Sequence, residues 1–329
     1  KATIVTGDKA AGLPVSLHFP NLETFCLLKF EPMDLPRIAK VADLIFTALP
    51  HTKSIEPVAH FIKSKKRVID LSADYRLKDQ DIYEQWYGVT HSSPNLLKQA
   101  VYGLPELYRS KITQTKLIGV PGCYPTAAIL QLAPLLAKGV IKEDTIVIDA
   151  KSGVSGAGRS PAPGYHFPEA HDSITAYKIG QHRHTPEIEQ ELNTIFSNAR
   201  PRSEKKNHTM KVIFTPHLTP MNRGILSTTY AKMIKPMSTK ALQELYRKFY
   251  QDERFIRIRE ESTHVYPNQV RGSNFCDIGI VADPRTGHII TVAALDNLVK
   301  GAAGQAIQSM NLMMGYPEDT GLAAPGIFP

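Results

Sequence analysis

The sequence predicts an α/β fold in two parts: a parallel sheet wrapped by helices, then an α+β region whose sheet is mostly antiparallel. Three observations predict it. Short apolar runs at 43–48, 67–72 and 116–119 alternate with helix-like stretches, as strands buried on both faces do. Longer β-rich runs gather after Lys211, with one clear helix among them, 242–250. Between the two regions a cysteine joins a strand-like run to a helix-like run, in Gly119-Val120-Pro121-Gly122-Cys123-Tyr124-Pro125-Thr126.

Bulk properties agree with a globular chain. It has 329 residues with 42% hydrophobic and 21% charged content, enough for one large or two ordinary domains. No run reaches the ~18 apolar residues a membrane helix needs, so no membrane partner is expected. Three scattered cysteines argue against a disulfide framework and for a reducing, cytoplasmic setting. The net charge of +8 is dispersed, and its densest run, Lys63-Ser64-Lys65-Lys66-Arg67, has no interleaved aromatics, so nucleic acid is not the expected partner.

Taken in order, Ala2 to Thr6 reads as a strand and turns through Gly7-Asp8-Lys9. Ser54 to Lys63 carries Ile55, Val58, Ala59 and Ile62 at helical spacing between the next two strands. Ligands of parallel sheets bind beyond the carboxyl ends of the strands. That places Ala48-Leu49-Pro50-His51 and Asp70-Leu71-Ser72 within reach of a cofactor.

Proline suits the first helical position, so the helix after the cysteine is expected to start near Pro125 and to kink or break at Pro134. Cys123 then sits at a helix N-terminus, where N–H groups and the dipole favour a thiolate. The strand Thr145 to Ala150 feeds Lys151-Ser152-Gly153-Val154-Ser155-Gly156-Ala157-Gly158-Arg159. Such a Gly/Ser loop can converge its N–H groups on an anion, with Arg159 adding a planar charged fork.

In Gly180-Gln181-His182-Arg183-His184-Thr185-Pro186-Glu187, Thr185 and Pro186 read as N-cap and first helical residue. His182 and His184 are then fixed at a helix start, a rigid mounting for a general acid or base. No Cys/His/Glu cluster has metal-ligand spacing, so no metal is expected. Further on, Asp283-Pro284-Arg285-Thr286-Gly287 is a hairpin turn, and a helix rich in small residues opens at Asp296. Cys26 and Cys276 are expected to be packing residues.

Four motifs in this order, Pro121 to Ala127, Ser152 to Arg159, His182 to Ile188 and Asp296 to Gln305, resemble the N-acetyl-gamma-glutamyl-phosphate reductase family. The resemblance runs from about Ala2 to the C-terminus. It implies a Rossmann-like dinucleotide-binding domain (1–122 and 298–329) and an α+β catalytic and oligomerisation domain (123–297). It also implies NADPH-dependent reduction of an acyl phosphate to an aldehyde in arginine biosynthesis, in a homodimer or homotetramer. The nucleophile falls on Cys123, the acid/base on His182 or His184, and Asn297 comes near the nicotinamide.

Expected substrate and phosphate contacts are Tyr124, Ser152, Gly153 and Arg159. Expected cofactor contacts are Lys9, Leu49, Pro50, Ser72, Gly156, Ala157 and Asn297. Two departures from the family pattern stand out. Its first strand and glycine-rich turn have no counterpart before Lys1 and are expected to be lost from this record. Where the family carries Ser-Arg for the 2′-phosphate, this chain has Gly7-Asp8-Lys9; Lys9 suits NADP and Asp8 suits NAD. An aspartate-semialdehyde dehydrogenase type of reductase and a non-redox Cys/His acyltransferase are the alternative readings.

Overall fold

Parallel pairing organises the N-terminal region of the computed structural model, which describes residues 2–200 and 209–328. Leu44–Thr47 pairs with Arg67–Asp70, Arg67–Asp70 with Leu117–Gly119, and Leu117–Gly119 with Val101–Tyr102. A separate parallel pair joins Val5–Thr6 to Phe30–Glu31, so the run from Ala2 supplies only two strand residues. The Ile55–Lys63 helix packs Val58 and Phe61 with Ile45, Val68 and Leu117 of this sheet, while Ile55 joins a neighbouring cluster with Leu77, Tyr83 and Tyr87. Asp79 caps the Gln80–Tyr87 helix through its side chain, and Gly88, at φ 71°, ends it.

The second sheet runs in the order Ile256–Ile258, Cys276–Asp283, His288–Leu295, Ile225–Lys232, Val147–Gly153, Ile213–Thr219, Thr175–Ala176. It is mixed: Ile256–Ile258 with Cys276–Asp283 and Val147–Gly153 with Ile213–Thr219 are parallel, and the other neighbours antiparallel. The second parallel pair is possible because the chain crosses over through the Thr185–Asn198 helix. Register matters here. Ile225 lies opposite both Ser152 and Leu295, which gathers Ser152, Gly224 and the Asp296-Asn297 corner at one end of the sheet.

The Cys123–Ala137 helix lies at the centre of the core, with every residue from Tyr124 to Leu136 buried. It starts two residues earlier than Pro125 suggests, and it runs through Pro134 instead of breaking. Proline lacks an N–H, so the Leu130 carbonyl loses its helical donor. Tyr250 replaces that donor through its hydroxyl at 2.7 Å, and the Tyr246 hydroxyl donates to the neighbouring carbonyl of Gln131. Both tyrosines come from the Thr239–Phe249 helix and its cap.

The closing helix is also more structured than its small residues suggest. A π turn over Val299–Ala303 precedes the α-helix Gly304–Met314, which Gly315 ends at φ 75°. Lys300, Gln305 and Gln308 are buried. Lys300 Nζ donates to Glu106 Oε1 at 2.5 Å and to Gln308 Oε1 at 2.8 Å. Cys276 is buried as expected, whereas Cys26 is only half-buried in a turn flanked by exposed Phe25 and Leu27. No helix is long and apolar enough to cross a membrane among the described residues.

Candidate active site

Cys123 is the first residue of its helix, with Gly122 in the cap position. Close packing explains both glycines beside it. A Cβ on Gly122 would come within 2.5 Å of His184 Nε2, and one on Gly301 within 2.7 Å of Cys123 Cβ. The segment before the thiol is held by Glu187, in the first turn of the Thr185–Asn198 helix. Its Oε1 accepts from the Gly122 N–H at 2.8 Å and from the Tyr102 hydroxyl at 2.7 Å. Its Oε2 pairs with Arg76 Nη1 at 3.3 Å. Arg76 in turn donates to the carbonyls of Val120, at 2.6 Å, and Leu71, at 3.0 Å. One buried ion pair therefore ties the ends of the parallel strands to the helix that follows the histidines.

The histidine helix begins one residue earlier than its cap pattern suggests. His184 holds the cap position, Thr185 is the first helical residue and Pro186 the second. His182 Nδ1 accepts the backbone N–H of His184 at 3.1 Å. The neutral His182 ring must then carry its proton on Nε2, which makes no hydrogen bond to the described residues. The two rings meet edge to face at 4.7 Å. His182 also lies against Tyr124, Tyr177 and Phe214 at 5.4 to 5.7 Å. The Tyr177 hydroxyl donates to Tyr124 Oη at 3.2 Å, joining the edge strand to the helix start.

These groups line a cavity of about 640 Å³. Its lining includes Cys123, Tyr124, His182 and His184, with Ser152, Gly156 and Ala157 of the Gly/Ser loop. Tyr177, Lys178 and Arg183 also line it, and His51 with Tyr87 contribute from the parallel-sheet region. His51 is brought there by Asp74, whose carboxylate accepts the N–H groups of Thr52 and Ser54 at 2.7 and 2.9 Å. The Ala73 N–H donates to His51 Nδ1 at 3.1 Å.

Electrostatics correct the expectation of a resting thiolate. Burial pushes the Cys123 thiol up to about 11, against the smaller downward pull of the Tyr124 N–H and Arg76. Burial therefore favours the protonated thiol over the thiolate. Burial also lowers His182 to about 4, helped by Lys178 and Arg183. His184 is held well below the usual histidine range by burial and by His182. The resting site is a neutral thiol beside two neutral imidazoles, the arrangement that desolvation favours.

The residues singled out from sequence divide into groups. Cys123, Tyr124, Ser152, Gly156, Ala157, His182 and His184 share the cavity. Gly153 and Asn297 stand behind its Gly/Ser side: Asn297 Oδ1 accepts the Gly224 N–H at 2.7 Å and its Nδ2 donates to Ser155 Oγ at 3.0 Å. The Val154–Ala157 turn is thereby pinned. Arg159 lies outside the wall, exposed, with its guanidinium 5.5 Å from the Phe19 ring centre. Leu49 and Pro50 lead into His51 without lining the cavity. Ser72 is buried, its hydroxyl donating to Asp70 at 2.6 Å and accepting the Asp74 N–H. Lys9 is exposed in the Asp8–Ala10 turn.

Tyr87, Tyr177, Lys178 and Arg183 line the cavity without having been marked as site residues in the sequence, although Arg183 lies between two marked histidines; His51, placed near a cofactor by its strand end, lines it as well. Among the described residues no group of three or more His, Cys, Asp or Glu side chains is arranged to hold a metal ion.

Comparison with known proteins agrees with this geometry. Residues 1–115 match a family model described as semialdehyde dehydrogenase, NAD binding domain, and residues 123–297 one described as semialdehyde dehydrogenase, dimerisation domain. An N-acetyl-gamma-glutamyl-phosphate reductase of Geotalea daltonii is 51% identical over 99% of this chain and 92% of its own length. The chain belongs to the N-acetyl-gamma-glutamyl-phosphate reductase family. Another such reductase, from Desulforamulus reducens, is 47% identical over 99% of the chain and 92% of its own length.

Solved structures share the fold at low identity. An aspartate semialdehyde dehydrogenase with NADP from Candida albicans superposes with TM-score 0.64 at 16% identity, over 89% of this chain and 83% of that one. Aspartate semialdehyde dehydrogenase II from Vibrio cholerae gives 0.63 at 15%, over 87% and 84%. For a member of this reductase family, the two sheets are the Rossmann-like and dimerisation parts of the semialdehyde dehydrogenase fold.

Proposed function

We infer that this member of the family reduces N-acetyl-gamma-glutamyl phosphate to N-acetyl-glutamate semialdehyde and releases phosphate, as a step of arginine biosynthesis. The observation that carries the reading is the single cavity that unites Cys123 with two uncharged histidines at the carboxyl end of a parallel sheet. We place the nicotinamide in this cavity, whose volume is about 640 Å³. The Val154–Ala157 turn beside it is pinned by Asn297, and glycine at 156 lets that turn pack on Ser152, whose Oγ a Cβ would meet at 2.8 Å. When bound, that cofactor supplies the hydride that takes the acyl group to the aldehyde level. We assign Gly156, Ala157 and Asn297 to holding it, and Lys9 to favouring NADP.

The chain's own residues do the rest. Cys123 Sγ attacks the acyl carbon, forming a thioester as the bond to phosphate oxygen breaks. A thiol near 11 does not ionise beforehand, so its proton moves as the sulfur–carbon bond forms, to His184, whose Nε2 packs against Gly122. His182 acts differently. Its fixed Nε2–H donates to the acyl oxygen, and the helix N–H groups around Cys123 add to that stabilisation. His184 passes that proton to the departing phosphate; the final collapse breaks the carbon–sulfur bond, and the sulfur takes a proton from water by way of His184.

Arg159 has no support from the geometry as a phosphate ligand, since the cations on the wall are Lys178 and Arg183. Residues 1–122 with 298–329 as cofactor domain, 123–297 as catalytic domain, a homodimer or homotetramer, and the cytoplasm complete the proposal. The test is consumption of NADPH, followed by absorbance, on addition of the acyl phosphate. Wild type is expected to turn over and Cys123→Ser to lose at least about 10³-fold. Undiminished turnover in Cys123→Ser would sink the covalent scheme.

A further inference from the structure

Lys178 is a cavity cation that no group among the described residues answers. It stands on the wall beside Tyr177, and its ammonium makes no ion pair or hydrogen bond to the described residues. Its backbone is in the left-handed region at φ 47°, which residues with a side chain rarely adopt and which recurs at ligand-holding sites. The turn that holds it there is closed by the Gln181 N–H donating to the Lys178 carbonyl at 2.9 Å, with Gly180 also left-handed at φ 68°. Tyr177 fixes the other flank through its hydroxyl on Tyr124, the neighbour of Cys123. A strained turn thus presents an exposed, unpaired positive charge to the cavity that also holds Cys123.

The other charged groups on the wall are less free or of the wrong sign. Arg183 is stacked over the Tyr87 ring, 5.1 Å from its centre. Glu169 also lines the cavity but makes no ion pair with Lys178 among the described residues. On the function proposed above, the substrate brings two negative groups: a phosphate on the carbon that Cys123 attacks and a carboxylate at the far end of the chain. The first must sit at the thiol. The second needs a cation away from it.

We propose that Lys178 binds the α-carboxylate of the acyl chain and selects for substrates that carry one. This inference rests on the reductase reading, and its test separates the two. The protein is assayed in the oxidative direction with NADP and phosphate on two aldehydes: N-acetyl-glutamate semialdehyde, and 4-acetamidobutanal, which has hydrogen in place of the carboxylate.

Wild type should prefer the carboxylated aldehyde. Lys178→Met should lower kcat/KM on it about 10- to 100-fold, mostly through KM, as loss of a charge-assisted contact does. On 4-acetamidobutanal the same variant should match wild type, and Lys178→Arg should restore most of the preference. Equal losses on both aldehydes, or no loss on either, would overturn the assignment of Lys178. If wild type oxidises neither aldehyde, the reductase reading itself falls.

Discussion

Two buried ion pairs each tie the parallel-sheet region to a later helix, Arg76–Glu187 to the helix after the histidines and Lys300–Glu106 to the closing helix, yet they do different work. Arg76 and Glu187 meet beside the cavity, and Lys300 and Glu106 meet behind it. At the first, Glu187 spends one oxygen on Arg76 and the other on the Gly122 N–H and the Tyr102 hydroxyl, so the pair fixes the backbone next to the thiol. At the second, both side chains are fully enclosed, and Glu106 Oε2 has no partner among the described residues. Burial pushes Glu106 up, but Lys300 outweighs it and holds the carboxyl below its ordinary value. The same chemistry serves geometry in one place and cohesion in the other.

Breaking the first pair should have the largest effect. Glu187→Ala leaves Arg76 as an uncompensated buried charge, a loss of about 3–5 kcal/mol. It also frees the Gly122 N–H, and a small misplacement of a nucleophile can cost about 10²-fold in rate. Turnover per folded molecule, with the folded fraction taken from circular dichroism, should therefore fall well beyond the loss of stability. Turnover equal to wild type in the folded fraction would erase the distinction between the pairs.

The second pair should show the converse. Lys300→Met should destabilise by about 3–5 kcal/mol through the unpaired Glu106. The double variant Lys300→Met/Glu106→Leu should recover most of that, since a well-packed apolar replacement is often neutral. Urea midpoints measure both, and kcat of the folded enzyme should stay near wild type.

A smaller effect sharpens the contrast through pH. His182, at about 4 in the folded chain against an ordinary 6.5, stays neutral where the unfolded chain takes up a proton. Its contribution is a loss of stability as pH falls from about 6.5 towards 4, on the order of 1–2 kcal/mol by pH 5. Glu253, near the second pair, runs the other way. Burial and Glu106 raise it to about 7, against the opposing Arg109, so stability is lost as pH rises from about 4.5 to 7. Urea midpoints between pH 5 and 8 should fall more steeply on the acid side in Glu253→Gln than in wild type. Parallel curves would remove Glu253 from the account.

Much of this was legible in the sequence because it rests on local pattern. Alternating short strands marked the parallel sheet, and Gly122-Cys123 and His182-Arg183-His184 marked the lining of the cavity. What escaped notice depends on distant partners. Pro134 looks like a helix breaker until Tyr250, 120 positions beyond Leu130, supplies the donor that the Leu130 carbonyl lacks. The helix N-terminus argues for a thiolate, but the desolvation that decides the matter comes from the whole surrounding core. Arg159 had the right chemistry for an anion, yet its loop carries it out to Phe19, while Lys178, in a segment with no motif, faces the cavity. Burial of Lys300 and Glu106 was equally hidden, since neither residue type suggests a core position until the other stands opposite.

The central claim is that Cys123 carries the acyl group. The most direct measurement is the intact and peptide mass of the protein quenched in acid after mixing with N-acetyl-gamma-glutamyl phosphate in the absence of NADPH. One N-acetylglutamyl group should appear on the peptide containing Cys123, disappear on addition of NADPH before the quench, and be absent from Cys123→Ser. An unmodified Cys123 peptide in an enzyme that turns over when NADPH is present, or the acyl group on another residue, would contradict the account.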